Sequence, residues 1–134
     1  MTDERTGYKV CRNLVGPGYN FFAPVSTHGL LSGFAYRVGH TTETDGVLYG
    51  PISLFARLDH ARRFAKTLAC SAVILRVTYR PWTRGAGPGN ALMWRTDDSG
   101  IVWPFTDLYL PVGTVFAEAV TVEAVVENLP GAAS

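Results

Sequence analysis

The chain has 134 residues, 47% of them hydrophobic and 17% charged, and its formal net charge is +1. That length suits one domain over residues 1–134, with a core that needs neither metal nor disulfide. The near-neutral balance gives no general attraction for nucleic acid or anionic lipid, so neither is expected as a partner. No apolar run approaches the roughly 20 residues that span a bilayer. The start, Met1-Thr2-Asp3-Glu4-Arg5, lacks the apolar stretch of a secretory signal, and a cytoplasmic location is the expectation. Cys11 and Cys70 have no metal-type partner two residues away, which suits reduced, buried thiols and leaves a Cys11–Cys70 bridge open.

Residues 1–6 and 130–134 are polar or small and are expected to be flexible. Tyr8 to Arg12 alternates as a first strand, with Tyr8, Val10 and Arg12 on one side and Lys9 and Cys11 on the other. Gly16-Pro17-Gly18 reads as a turn, Tyr19–Val25 as β-prone, and Phe34–Val38 as a second alternating run. Thr41–Gly46 is a polar loop leading to Val47-Leu48-Tyr49 and the punctuation at Gly50-Pro51.

Leu58, Ala61, Phe64, Ala65 and Leu68 recur at helical spacing, with Arg62, Arg63 and Lys66 on the opposite side, and predict one helix over about residues 58–69. Asp59 meets the positive end of its dipole, but no capping side chain stands near Arg57. Val73–Arg80 then switches the period from 3.6 to 2, with Val73, Leu75, Val77 and Tyr79 toward the core and Pro81 as the stop. Ala91–Trp94, Asp107–Leu110 and a long Thr114–Val126 complete the strands, with a turn at Thr96–Gly100. One helix among about seven to nine short strands implies α+β with a curved, mainly antiparallel sheet, since a parallel sheet needs a crossover for each pair. The predicted core is Val10, Phe55, Leu58, Ala61, Phe64, Leu68, Val73, Leu75, Val77, Val120 and Val122.

Specific catalytic signatures are missing. The glycine clusters at 16–18 and 85–89 lack the Gly-Lys-Ser/Thr ending of a phosphate loop, and His28, His40 and His60 match no zinc spacing. No Gly-x-Ser-x-Gly elbow occurs. Trp82, Trp94 and Trp103 interleave with Arg80, Arg84 and Arg95, a mixture that can stack a base and hold a phosphate or simply fill the mouth of a small sheet. Glu118 stands out. Strict alternation puts it on the apolar face of the last strand with Phe116, Val120 and Val122, where it needs a cation such as Arg12 or Arg37, or a bulge that turns it away.

The patterns Tyr8-Lys9-Val10-x-Arg12, Tyr36-x-Val38-Gly39, Leu54-Phe55-Ala-x-Leu58-x-x-Ala61-x-x-Phe64-Ala65 and Gly113-Thr114-Val115-Phe116-Ala117-Glu118 resemble a set of small bacterial and phage proteins without an established activity. Ala61–Ala65 and the Asp107–Thr114 turn are also similar to the ADP-ribosyltransferase fold. That likeness implies NAD as cofactor, Arg12 as an NAD-holding residue and Asp107 as the acid that steadies the ribose cation. Asp stands where such enzymes have Glu, and no Ser-Thr-Ser motif precedes the helix. The expected site therefore comprises Asp107 and Glu118 as catalytic candidates. Tyr8, Arg12, Tyr36, His40, Tyr49, Trp94 and Arg95 are the ligand-binding candidates. A small-ligand, nucleotide-handling domain is the leading reading, and a non-catalytic module that binds a protein partner is the alternative.

Overall fold

The computed structural model describes residues 3–14, 21–24, 36–47, 49–68, 71–87, 90–105 and 110–129, with the side chains of 12–14, 21–24, 95 and 103–105 outside that description. The strands are β1 (Arg5–Leu14), β2 (Phe21–Pro24), β3 (Thr41–Glu43), β4 (Ile52–Phe55), β5 (Ala72–Pro81), β6 (Met93–Thr96), β7 (Val102–Phe105) and β8 (Thr114–Leu129), and the helix α1 is Leu58–Lys66. Among the described residues, β1–β5 and β8 form a six-stranded antiparallel sheet, and β6 and β7 a separate hairpin. The architecture is a sheet-dominated α+β fold.

The sheet closes on itself. β1 pairs β5, β5 pairs β8, β8 pairs β4, and β4 returns to β1 where Tyr8 stands opposite Phe55. β2 takes the far end of β1, and β3 pairs with β8 beyond β4. Closure of β1, β5, β8 and β4 creates an inside, with β2 and β3 left as edge strands among the described residues. Cys11, Tyr36, Leu54, Leu75, Val77, Val120 and Val122 fill that inside. The space is tight at Gly7, where a Cβ would lie 2.7 Å from Leu54 and 2.9 Å from Tyr79.

The helix covers the outside. Ala61 and Ala65 press on Val10, Phe55, Ala72 and Ile74, with Leu58, Phe64 and Leu68 half-buried beside them. Phe55 and Phe64 meet at 5.4 Å between ring centroids. Because β5 is packed on both faces, it reads as a nearly continuous apolar run from Ala72 to Leu75. Arg57 occupies the N-cap without a side-chain cap bond, and Asp59 instead accepts the amide of His60 at 3.0 Å.

Several boundaries differ from expectation. β1 begins at Arg5, so Arg5 and Thr6 are strand residues that pair with Tyr79 and Thr78. Thr41–Glu43, read as loop, is β3, because its backbone finds partners on β8 across a long sequence separation. Val102–Phe105 pairs with Met93–Thr96 although Pro104 argues locally against a strand. In the Phe34–Val38 run the described part contains a lone bridge at Tyr36 and a turn at Val38-Gly39. The helix ends at Lys66, with Thr67 as its C-cap. Cys11 is a free, buried thiol, and Cys70 lies outside the described residues, as do 1–2 and 130–134. No helix among the described residues is long and apolar enough to cross a membrane.

Leu75 is fully buried inside the ring and Arg63 is exposed on α1. Urea unfolding is therefore expected to show a loss of about 3 kcal/mol for Leu75→Ala and within about 0.5 kcal/mol of no change for Arg63→Ala. Equal effects at the two positions would contradict the packing described.

Candidate functional site

β8 is not a regular strand. Ala119 stands opposite Arg80 and Ala117 opposite Pro81, which makes Glu118 the extra residue of a bulge. Its neighbours Ala117 and Ala119 are both buried, while its own side chain is 15% exposed and turned toward two arginines. Arg84 Nε donates to Glu118 Oε1 at 3.0 Å and Arg80 Nε to Oε2 at 3.1 Å. The expected buried pair with Arg12 or Arg37 is thus replaced by a double pair with Arg80 and Arg84. Alternation breaks at the bulge, so Glu118 leaves the face that holds Val120 and Val122. The carboxyl is held below its usual range by the hydrogen bonds from Arg84 and Arg80, against a smaller opposing effect of burial.

Aromatic rings sit beside this ionic centre. The Arg84 guanidinium lies 5.3 Å from the Trp82 ring centroid, and Arg84 Nη1 donates to the Asp45 carbonyl at 3.0 Å. Trp82 meets Trp94 edge-on at 5.9 Å, and Arg80 Nη2 lies 3.8 Å from Glu43. Trp94 is buried against Gly50 and Gly87, where a Cβ at either position would collide with its ring. Its indole Nε1 donates to the Val47 carbonyl at 3.2 Å. Thr44 braces the same loop. Its hydroxyl is placed to donate to the carbonyls of Tyr49 and Gly50, at 2.9 and 2.7 Å, and its amide donates to the Glu118 carbonyl at 2.9 Å. The result is a ledge of Arg80, Trp82 and Arg84 built on a buried Trp94 and a bulged Glu118.

The candidate residues divide among separate places. Glu118, Trp94 and Tyr49 belong to the ledge and its supporting loop. Tyr36 is 1% exposed and lies inside the ring, whereas Tyr8 faces the helix side of the sheet. His40 is exposed at a turn, and its carbonyl accepts the Val122 amide at 3.2 Å. Arg12 pairs through its backbone with Ala23, and Arg95 with Trp103, but their side chains lie outside the description. Asp107 lies outside the described residues. Among the described residues no group of three or more His, Cys, Asp or Glu is arranged to hold a metal ion.

Sequence reasoning singled out the tryptophan–arginine interleaving but passed over Lys9. That residue is 6% exposed inside the ring, donates from Nζ to the Ser53 carbonyl at 2.6 Å, and lies 5.8 Å from the Tyr36 ring centroid. A signal was present, since alternation already places Lys9 on the same side as Cys11. Only closure of the sheet reveals that this side is the interior.

No family model matches the chain, and no curated protein or solved structure matches it. The resemblances rest on the residues that carry them.

A carboxyl held low when folded contributes stability above its ordinary value and loses it as pH falls through the lowered value. Arg80 and Arg84 are each more than a third exposed, so Glu118→Gln is expected to cost only about 1 kcal/mol at neutral pH. It should also flatten the acid-side loss of stability in urea titrations. An unchanged acid profile would show that the two arginines do not hold this carboxyl.

Proposed function

We propose that this chain is a small-ligand-binding domain of the nucleotide-handling kind, with the Arg80–Trp82–Arg84 ledge as its recognition face. The observation that carries this reading is the Arg84 guanidinium spread over Trp82 while Glu118 holds its Nε edge. The half-buried Trp82 ring and the exposed Arg84 side chain beside it are group types on which a planar base stacks. Arg80, whose side chain is 40% exposed, lies next to it as a fork for phosphate oxygens. The acids already beside these arginines set an affinity limit, because a phosphate must compete with Glu118 and Glu43 for the same donors.

NAD, with its adenine, nicotinamide and pyrophosphate, is the ligand the ADP-ribosyltransferase likeness favours. Transfer chemistry is the narrower version of the proposal, and it gives the acid to Asp107 and NAD-holding to Arg12. Glu118, held ionised by two arginines, serves as the anchor of the ledge in this reading.

The protein-interaction alternative finds its support elsewhere. Leu92, Ile101 and Val102 are exposed at the β6–β7 hairpin, while Trp94 is buried and Trp82 half-buried, which leaves less aromatic surface for a partner.

Tryptophan fluorescence titrated with NAD and with ADP tests the ligand reading. Saturable quenching is expected at submillimolar to millimolar ligand, weakening as salt is raised. Arg84→Ala should weaken binding about tenfold, which corresponds to about 1.4 kcal/mol. Absence of quenching by either nucleotide at millimolar concentration overturns the proposal. Release of nicotinamide that vanishes in Asp107→Ala would establish the transfer version.

A further inference from the structure

We propose that Glu43 is a built-in competitor on the ledge. Its carboxylate takes the place of a ligand phosphate at Arg80 and biases the site toward pyrophosphate diesters, as in a dinucleotide, over nucleotides that end in a terminal phosphate. This role rests on the ligand-binding reading of the ledge and adds a selecting residue to it.

The two acids beside the arginines relate to them differently. Glu118, 15% exposed at the bulge, takes the Nε edge of both, with Oε2 accepting from Arg80 at 3.1 Å and Oε1 from Arg84 at 3.0 Å. A guanidinium has five N–H donors, so the Nε bond leaves those on Nη1 and Nη2 of Arg80 over. Among the described residues these terminal donors make no hydrogen bond. Glu43 Oε1 stands 3.8 Å from Nη2, an ion pair beyond hydrogen-bond distance, and the Glu43 side chain is 63% exposed. Glu118 is therefore an anchor that a ligand leaves in place, and Glu43 is the group it displaces.

Strand register brings Glu43 there. It stands opposite Ala119 on one side of β8, and Arg80 stands opposite the same Ala119 on the other. Two ladder spacings, about 9.5 Å, separate the two backbones. The alanine methyl between them leaves room for the long side chains to meet across β8. Among the described residues Arg80 is the one cation that Glu43 pairs with, so its carboxylate can swing aside without breaking another ion pair.

Selectivity follows from charge. A displaced Glu43 carboxylate stays close to the phosphate that replaced it and repels it in proportion to the phosphate's charge. A terminal phosphate carries about two negative charges above neutral pH, whereas each phosphoryl group of a pyrophosphate diester carries one. Glu43 therefore penalises the terminal phosphate more. Removing its charge while keeping its shape helps both ligands, and ADP more than NAD.

The test titrates NAD and ADP at pH 8, by tryptophan fluorescence, against the wild-type chain, Glu43→Gln and Glu127→Gln. Glu127 pairs with Arg62 at the far end of β8, so its substitution makes the same change in net charge away from the ledge. Glu43→Gln is expected to lower the Kd for ADP about fivefold and that for NAD about twofold, the scale of an exposed ion pair. Glu127→Gln should leave both unchanged. An equal gain for the two ligands, or the same gain in Glu127→Gln, overturns the proposal and reduces Glu43 to part of the general field. Binding of both ligands by the wild type with no change in Glu43→Gln also overturns it, and leaves the ligand reading standing. Absence of binding in the wild type and in Glu43→Gln overturns both.

Discussion

Closure of the sheet between β1 and β4 is the constraint on which the other features depend. Three of the four boundaries of the ring are backbone ladders: β1 with β5, β5 with β8, and β8 with β4. The fourth joins through the Tyr8–Phe55 pair and the Lys9–Ser53 hydrogen bond. Without it, Cys11, Leu54, Leu75, Val77 and Val120 would line an open, curved sheet with one wet apolar face. With it they form a dry interior. The lysine stem packs among apolar groups while its amine donates to the Ser53 carbonyl, which resembles the snorkelling of long cationic side chains turned inward.

Closing so small a ring requires a strand that bends, and β8 supplies it. Its register against β5 slips at three places, leaving Glu118, Glu123 and Val126 without a direct partner in the ladder. Each slip adds local twist and rotates the strand's faces. Two of the three extra residues are glutamates, and both engage cations on β5 or just beyond it. Glu118 joins Arg80 and Arg84, while Glu123 joins Arg76 and accepts from the Thr78 hydroxyl. Charges at bulges satisfy two demands together, since they stay out of the interior and lock the bent strand to its neighbour. The same geometry brings Arg80 and Arg84 to the rim beside Trp82, so curvature and the candidate binding ledge have one origin.

The parts of this arrangement that were legible in the sequence are those set by local periodicity. Leu58, Ala61, Phe64 and Ala65 mark the helix by spacing alone. Val73, Leu75, Val77 and Tyr79 mark the face of β5 that became the interior, and all four are buried. Every residue of the predicted core is buried or packed against buried neighbours. What escaped is long-range. Thr41–Glu43 has a polar, loop-like composition and becomes a strand only because Thr121, Val120 and Ala119 lie opposite it. Glu118 is anomalous in the sequence, but its partners come from β5 and the loop after it, which local patterning does not reveal. Lys9 is the clearest case. Alternation assigns it a side, and only the topology makes that side an interior.

Closure of the sheet into a ring with Lys9 inside it can be followed by NMR of the lysine side chains with carbon-13 at Cε. Lys9 in a closed ring is expected to show nuclear Overhauser contacts to the Tyr36 ring and to titrate below the ordinary lysine range, because burial disfavours its charged form. A Lys9 signal that titrates within the ordinary range and shows no contact to Tyr36 would contradict it, and would place the amine in solvent on the outer side of an open sheet.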